Sequence, residues 1–300
     1  MEIAIINKYQ NSVNRGAETF VSELSKRLSR NHKVDILTKI NFFKKYDLII
    51  PTNGRFQVFV VRILTWLTGS KMIVSGQSGV GLDDRLNLYS MPNAFVALSS
   101  YALDRSKKRN PFVKSVYIPN GVDLNRFKIK DLKLKTNVKT ILSVGAFTKE
   151  KRHDLTIKAV AKIKCAKLII AGSGGYLTED IKILGEKLLG KGRFQVLSIS
   201  YDKMPEIYSK VNLFVFPTVP WESFGIVLVE AMASGLPVIV TDDPIRREIV
   251  GDAGLFVDPT DTDAFAKTIE KALDTDWRDK PRKQAEKFSW DIIASSYEEL

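Results

Sequence analysis

Short apolar runs alternate with longer stretches of helical periodicity along the whole chain. Strands of a parallel sheet are buried on both faces and are therefore continuously apolar, so this alternation predicts α/β units with parallel sheets. The predicted strands fall into two series: residues 3–6, 33–37, 48–50, 72–74, 94–97 and 115–118, then 140–144, 167–171, 194–197, 213–216, 237–240 and 254–257. A polar, Lys-rich stretch at 128–139 separates the two series and is typical of a linker.

The first helix is predicted at residues 17–30, where Phe20, Val21, Leu24 and Leu28 have the spacing of one buried face. Because a strand and a polar loop precede it, Gly16 is expected at the N-terminus of the helix. Backbone N–H groups and the helix dipole favour a phosphate there. A simple turn also explains a glycine at this position, and the sequence alone leaves both interpretations open.

Composition and cysteine content limit the possible classes of protein. The composition is that of an ordinary globular protein, with 44% apolar and 27% charged residues. A chain of 300 residues is longer than one hydrophobic core usually stabilises, which favours two domains. A single cysteine, Cys165, excludes an intramolecular disulfide and a cysteine-based zinc site. No basic and apolar leader precedes the first strand, and Gln57 and Arg62 interrupt the best candidate for a membrane span, residues 56–67. These features predict a cytoplasmic protein.

The net charge of +12 is unevenly distributed. Residues 1–135 contain 23 Lys and Arg against 10 Asp and Glu, whereas the remaining 165 residues contain 23 against 24. Such asymmetry indicates an anionic partner of the first part, either nucleic acid or a membrane surface, with a merely solvated basic surface as the alternative. Residues 56–67 then form either an amphipathic helix at the membrane or a core helix on the sheet.

The most informative stretch is residues 214–240, where a predicted strand ends at Pro217 and Gly225 opens a helix. Free N–H groups at 225–227 would lie at the carboxyl end of a parallel sheet, where doubly wound folds bind ligands. Glu230 lies roughly 7.5 Å farther along the helix axis, the span from a diphosphate to a ribose. Glu222 precedes the helix and could hydrogen-bond the group that the diphosphate carries. The alternative is that both glutamates are structural, with Glu222 capping the helix and Glu230 partly buried within it.

Glu222 and Glu230, eight apart with Phe224-Gly225 between them, resemble the Glu-x7-Glu signature of retaining glycosyltransferases of family 4, the glycosyl transferases group 1. The segments at 14–18, 28–38, 96–100, 118–123, 143–151 and 170–174 resemble further motifs of that family in the same order. The resemblance implies the GT-B fold: two Rossmann-like doubly wound domains with a cleft between them and a C-terminal crossover helix. The implied boundaries are 1–135 for the acceptor side, 136–275 for the donor side and 276–300 for the closing helix.

The resemblance also implies the site residues. The catalytic group would be Glu222, Lys151 and Gln77. The donor-binding group would be Gly16, Gly145, Gly172, Ser223, Phe224, Gly225, Ile226, Val227 and Glu230. Asp83 and Asp84 are candidates for the acceptor hydroxyl, whereas Asp242-Asp243 is expected to be a cap or loop. His153 is expected at the surface, and His32 in the turn after the first helix.

Two positions depart from the family pattern. Ala146 stands where the family has an arginine, so that Arg15, Lys149 or Arg152 would have to supply the second cation beside Lys151. Gln77 stands where the family has a histidine, and an amide can hydrogen-bond a sugar but cannot carry a proton.

The predicted function is metal-independent, cofactor-free transfer of a sugar, with retention, from a UDP- or GDP-linked donor to a saccharide or lipid-linked acceptor. A degenerate nucleotide-sugar-binding subunit is the alternative, and a sugar-nucleotide epimerase is a third, less supported one. No nucleic acid is expected as a partner, because no aromatic residues are interleaved with the basic clusters. The expected location is the cytoplasm, with peripheral binding to the inner face of the membrane if the basic part docks there.

Overall fold

The computed structural model describes residues 1–10, 16–52, 54, 56–78, 81–128, 138–172 and 174–300. Its contacts divide the chain into two compact units. Unit 1 comprises Met1–Gly121, Trp221–Ile226 and Phe288–Leu300, and unit 2 comprises Val122–Pro220 and Val227–Lys287. Most of the expected linker and the expected boundary after residue 135 lie outside the described residues, so the boundary stays a prediction.

The strands lie within one or two residues of their predicted positions. They are β1 (Glu2–Ile6), β2 (Lys33–Leu37), β3 (Leu48–Pro51), β4 (Lys71–Ser75), β5 (Ala94–Ala97), β6 (Ser115–Tyr117), β7 (Lys139–Val144), β8 (Ala166–Ala171), β9 (Phe194–Leu197), β10 (Leu213–Phe216), β11 (Val238–Thr241) and β12 (Gly254–Val257). The helices are α1 (Gly16–Leu28), α2 (Phe56–Thr68), α3 (Leu82–Tyr89), α4 (Ser100–Arg109), α5 (His153–Ala161), α6 (Thr178–Leu189), α7 (Met204–Tyr208), α8 (Ile226–Ala233), α9 (Pro244–Val250), α10 (Thr262–Asp274), α11 (Lys280–Glu286) and α12 (Trp290–Glu298).

The sheet of unit 1 is parallel, with the strand order β2-β1-β3-β4-β5-β6 among the described residues. Side chains alternate between its faces, so that Ile3 and Ile5 join α1 and α12 on one side while Ala4 and Ile6 join α2 and α4 on the other. The predicted α/β fold is confirmed in this unit.

Helix α12 completes the core on the first of these faces. Trp290, Ile293, Ala294 and Tyr297 are buried at helical spacing, and the Trp290 ring lies 5.9 Å from that of Phe20. A Cβ added to Gly121 would come within 2.6 Å of the Trp290 indole, so only glycine fits there. Helix α12 therefore contributes to the hydrophobic core of unit 1.

Helix α2 combines the two alternatives that the sequence left open. Val58, Val61 and Leu64 are buried against β3 and β4, as in a core helix. Phe56 and Trp66 are exposed, as in an amphipathic one. Within the described ranges, no helix is both long and apolar enough to cross a lipid bilayer.

The sheet of unit 2 is also parallel, with the order β12-β11-β10-β7-β8-β9 among the described residues. In this sheet β7 is a central strand, and β8 and β9 follow on one side of it. The chain then crosses to the other side of β7, where β10, β11 and β12 are added in turn. The order reverses between β7 and β10, which is the topological switch point where open α/β sheets bind ligands. The loop after β7 contains Lys151, and the loop after β10 starts in this unit at residues 217–220.

Candidate functional site

The loops after β7 and β10 are joined at the switch point of unit 2. The backbone N–H of Val219 donates to the carbonyl of Glu150 at 3.0 Å. The Lys151 ammonium lies 5.3 Å from the centroid of the Phe216 ring, at the end of β10. A Cβ on Gly145 would meet the Lys151 stem at 3.2 Å, so the stem packs over the glycine. Lys151 thus holds its cation at the carboxyl end of the sheet.

Two glycine loops meet beside this lysine. A Cβ added to Gly172, which follows β8, would lie 2.0 Å from the carbonyl oxygen of Gly145. Real Cβ atoms do not approach a carbonyl so closely, and position 172 therefore requires glycine. The close approach brings two of the predicted donor-binding residues together in unit 2.

His153 lies beneath the same loop, and the expectation that it is at the surface is wrong. The side chain is 2% exposed, with Nδ1 3.1 Å from Ser143 Oγ and Nε2 3.4 Å from the Gly145 carbonyl. A carbonyl only accepts, so Nε2 carries the hydrogen and Nδ1 accepts from the serine. Burial, assisted by the charge of Lys151, lowers the pKa of His153 to about 4. The imidazole is therefore neutral at pH 7.

The sequence could not reveal this burial because it depends on one backbone conformation. Arg152 adopts the left-handed region, with φ of 50°, and the turn directs the first side chain of α5 inward. The His153 ring then packs 5.7 Å from that of Phe147. Histidine thus supports the loop that carries Gly145 and Lys151.

Glu230 is buried in α8 with a hydrogen-bond partner that the sequence analysis missed. The Tyr208 hydroxyl donates to Glu230 Oε2 at 3.0 Å. Burial and the neighbouring carboxylate raise the pKa of Tyr208 well above its usual value, which keeps the phenol protonated as a donor. The tyrosine fixes the orientation of the carboxylate.

The segment carrying Glu222 belongs to unit 1. Phe224 is buried and packs edge-on against Phe288 at 5.8 Å. Gly225 has φ of 85°, which favours glycine, and α8 begins at the next residue, as predicted. Ser223 Oγ donates to the backbone carbonyl of Gln77 at 2.9 Å. The residue beside Glu222 is thereby fixed to the loop that follows β4.

Gln77 forms a reciprocal amide pair with Asn120, which the sequence analysis did not single out. Gln77 Nε2 donates to Asn120 Oδ1 at 3.1 Å, and Asn120 Nδ2 donates to Gln77 Oε1 at 3.0 Å. Gln77 Nε2 also donates to Ser75 Oγ at 2.8 Å, and the Tyr297 hydroxyl donates to the same oxygen. The segment 118–123 was the available signal, because Asn120 lies within it.

Gly16 begins α1, and its Cβ position lies 3.6 Å from Ile226 Cδ1. Two predicted donor-binding residues at the starts of two helices are therefore neighbours in unit 1. Arg15, one of the candidate second cations, lies outside the described residues.

Both acidic pairs lie at the N-termini of helices: Asp83 and Asp84 in the first turn of α3, and Asp242 and Asp243 immediately before α9. Asp84 is buried and accepts from Asn87 Nδ2 at 3.3 Å, whereas Asp83 is half-buried. Asp243 caps α9 by accepting from two backbone N–H groups at 3.0 Å, which confirms the predicted cap. Asp242 pairs with Arg247 at 2.6 Å.

Comparison with known proteins gives a family match and several relatives. Residues 125–288 match the family model of the glycosyl transferases group 1. The chain is 35% identical over 130 residues to O-antigen chain mannosyltransferase B of Escherichia coli, covering 41% of this chain and 34% of that protein. It is 32% identical over 182 residues to the N-acetylgalactosamine-N,N'-diacetylbacillosaminyl-diphospho-undecaprenol 4-alpha-N-acetylgalactosaminyltransferase of Campylobacter jejuni, covering 56% of this chain and 48% of that one. In these matches the chain spans a third to a half of each relative's length.

Solved structures match over nearly the whole chain. Sucrose-phosphate synthase from Thermosynechococcus elongatus has a TM-score of 0.81 at 19% identity, covering 100% of this chain and 98% of that chain. Anabaena HepE in complex with UDP and glucose has a TM-score of 0.84 at 18% identity, with the same coverage. At such identities the likeness concerns the fold, and the predicted GT-B fold is confirmed.

Proposed function

Since this chain belongs to the glycosyl transferases group 1, we propose that it transfers a sugar from a nucleotide-diphosphate sugar to an acceptor hydroxyl, with retention of anomeric configuration and without a metal ion. One observation supports the proposal most strongly. A lysine ammonium, a pair of touching glycine loops and the start of the loop after β10, at residues 217–220, all lie at the switch point of unit 2. Such an arrangement suits a diphosphate.

Donor binding is assigned to hydrogen-bond donors at the diphosphate and to a hydrogen-bond acceptor at the ribose. Backbone N–H groups at Gly225, Ile226 and Val227 and at the Gly145 and Gly172 loops would receive the diphosphate oxygens, with Gly16 at a second helix N-terminus. Glu230 would accept hydrogen bonds from the ribose hydroxyls, and its hydrogen bond with Tyr208 supports this role by holding the carboxylate in one orientation.

The reaction breaks the bond between the anomeric carbon and a diphosphate oxygen. Negative charge develops on that oxygen, and Lys151 and the helix N–H groups stabilise it. The bond that forms joins the acceptor oxygen to the same carbon, and the acceptor proton passes to the departing diphosphate oxygen. His153 is neutral and buried and does not enter this scheme, whereas Glu222 would hold the sugar hydroxyls.

The substrate classes follow from the relatives only as proposals. The Campylobacter relative is named for an acceptor linked to diphospho-undecaprenol, and the HepE structure contains UDP and glucose. A UDP- or GDP-linked donor and a saccharide or lipid-linked acceptor are therefore the first classes to test.

The test is an assay of the purified protein against a panel of UDP-, GDP- and ADP-linked sugars, with and without a chelator. We expect nucleotide release with at least one donor, unchanged by chelation, and NMR of the product should show the donor's anomeric configuration. Absence of both transfer and hydrolysis across the panel would argue against the proposal. An inverted product would remove the retaining assignment.

A nucleotide-sugar-binding subunit without turnover is a second candidate. Two observations favour it: the Gln77 amide is engaged by Asn120, and Ala146 supplies no cation. Nucleotide binding without transfer, with transfer gained in Gln77→His, would identify this candidate. Transfer by the unaltered chain excludes it.

A further inference from the structure

Helix α2 exposes a continuous apolar face on unit 1. Phe56 is 81% exposed, Trp66 66% and Leu67 81%, while Phe59 and Ile63 lie between them and are also exposed. These side chains point away from the sheet, because Val58, Val61 and Leu64 occupy the packed side of the helix. Contiguous exposed apolar patches mark interaction surfaces.

The patch extends beyond α2 over the same side of the sheet. Helices α3 and α4 also pack on this side, and exposed Tyr89, Met91 and Phe112 lie at their C-terminal ends. Asn110 Nδ2 donates to the Leu88 carbonyl at 3.0 Å and joins those two ends. Since each helix runs antiparallel to its strands, the C-terminal end of α2, with Trp66 and Leu67, lies at the same end of the sheet.

Arg62 connects α2 to this region. Its Nη1 donates to Asn93 Oδ1 at 3.1 Å, and its guanidinium lies 5.0 Å from the centroid of the Trp66 ring. The cation therefore lies directly beside the apolar patch. It also links the helix to the loop between α3 and β5.

Basic residues outnumber acidic ones on the segments that carry the apolar patch. Between residues 56 and 114 the sequence has eight Lys and Arg against three Asp and no Glu. Lys107, Lys108 and Arg109 are exposed in the last turn of α4. One of the aspartates, Asp84, is buried, which makes the exposed surface still more basic. We name the exposed surfaces of α2, α3 and α4, with residues 90–93 and 110–114, the α2–α4 face.

We propose that the α2–α4 face docks on the headgroup region of an anionic lipid bilayer, with Phe56, Trp66, Leu67 and Phe112 inserted at the acyl boundary. An interfacial surface of this kind combines apolar side chains with basic ones at their margin. A second copy of the chain fits less well, since the symmetric contact would bring like charges together. The proposal does not depend on the transfer reaction, because docking can be measured without donor or acceptor.

The experiment is sedimentation of the full chain with vesicles of phosphatidylcholine, with and without phosphatidylglycerol, at low and high salt. We expect binding that requires phosphatidylglycerol and falls as salt screens the charges. Trp66→Ser with Leu67→Ser, and separately Lys107→Glu with Lys108→Glu, should each weaken binding at least about ten-fold.

Matched controls come from surfaces that the proposal does not use. Ile292→Ser alters an exposed apolar residue of α12, on the opposite side of the sheet, and Lys267→Glu with Lys271→Glu reverses two exposed lysines of α10 in unit 2. These variants should bind vesicles like the unaltered chain, and circular dichroism checks the folding of all four. Tryptophan fluorescence adds a second readout, because insertion of Trp66 should shift it to the blue in the unaltered chain and not in the variant that lacks Trp66.

Three outcomes would overturn the proposal: equal binding to neutral vesicles, equal losses in the control variants, or a stable dimer in solution that the Trp66 and Leu67 changes dissociate. The last outcome would identify a second copy as the occupant. None of them bears on the proposed transfer, which the donor panel tests in the absence of lipid.

Discussion

At the scale of single residues, the site combines one fixed cation with a histidine that is kept neutral. Lys151 lies over Gly145, and His153 supports the same loop from below. A protonated imidazole there would compete with the lysine for nearby anions and repel it. Neutrality of His153 therefore leaves the charge of this loop to lysine and arginine side chains.

Lys151→Ala should lower kcat/KM by about 10²- to 10³-fold, the size seen when one donor to a developing oxyanion is removed. Lys151→Arg should recover little of the loss, since guanidinium differs from ammonium in shape and hydration. Steady-state kinetics with the best donor gives the measurement. Lys158→Ala is the control, because this lysine pairs with Asp154 at the exposed surface of α5. Wild-type kinetics in Lys151→Ala would direct the search to Arg152 or Arg15.

Substitution of Glu230 and of Glu222 should have different effects, because the two glutamates are proposed to contact different parts of the donor. Glu230→Ala should weaken binding of the nucleoside diphosphate by about 1.5–3 kcal/mol, and Tyr208→Phe by less, because the carboxylate is then merely less constrained. Glu222→Ala should lower turnover more than nucleotide affinity. Calorimetric titration with nucleoside diphosphate and with the intact donor distinguishes these effects. Glu186→Ala is the control, because this glutamate is exposed on the surface of α6. Equal losses for both ligands in Glu222→Ala would contradict its assignment to the sugar.

His153 should make stability depend on pH. The pKa of the imidazole falls from 6.5 in the unfolded chain to about 4 in the folded protein, so the unfolded state binds more protons between these values. Stability from this group is complete above pH 6.5 and is lost as the pH falls towards 4, by up to about 3 kcal/mol. Denaturant unfolding across this range should show a steeper decline for the unaltered chain than for His153→Asn. Parallel curves would show that the histidine is not buried.

At the scale of elements, the glycine loops of unit 2 are the most constrained. Gly172→Ala places a Cβ 2.0 Å from the Gly145 carbonyl, so one loop must move. We expect a loss of about 1–3 kcal/mol in unfolding free energy, together with weaker nucleotide binding. Gly192→Ala is a matched control, since a Cβ there meets nothing within 4 Å. Unchanged binding in Gly172→Ala would separate these loops from the donor site.

The same elements show how far sequence reasoning reaches. Strands were predictable because burial on both faces leaves a continuous apolar run, and the start of α8 because Gly225 and Gly235 bound it. The pairs Gln77–Asn120 and Tyr208–Glu230 were not, since they join residues 43 and 22 positions apart and have no local signal. His153 was placed wrongly for a similar reason. Only the packed loop shows which way its ring turns.

At the scale of the whole molecule, unit 1 is built from three separate segments, and unit 2 from two. Hydrophobic periodicity predicts the elements in each segment but contains no information on which unit they join. Trp290 and Tyr297, more than 150 residues after β6, are as central to the core of unit 1 as Ile3 and Phe20.

Trp290→Ala should therefore destabilise unit 1 by about 3–5 kcal/mol. Hydrogen exchange should become faster at the amides of β1 and β3 and stay slow at those of β7 and β8. Ile292→Ala, exposed on the same helix, should leave all four strands protected. Equal acceleration in both units would mean that the two unfold as one cooperative body.

The place of α12 in unit 1 also affects synthesis. A ribosome delivers the first 121 residues long before it delivers Phe288–Leu300, so the sheet of unit 1 emerges with one apolar side incompletely covered. All of unit 2 is translated in the interval and can fold before unit 1 is finished. During that time the nascent chain presents the surface that α12 will later cover. Folding of unit 1 is thus completed only after Phe288–Leu300 has emerged, and release of the chain before that point would leave it a substrate for chaperones and proteases.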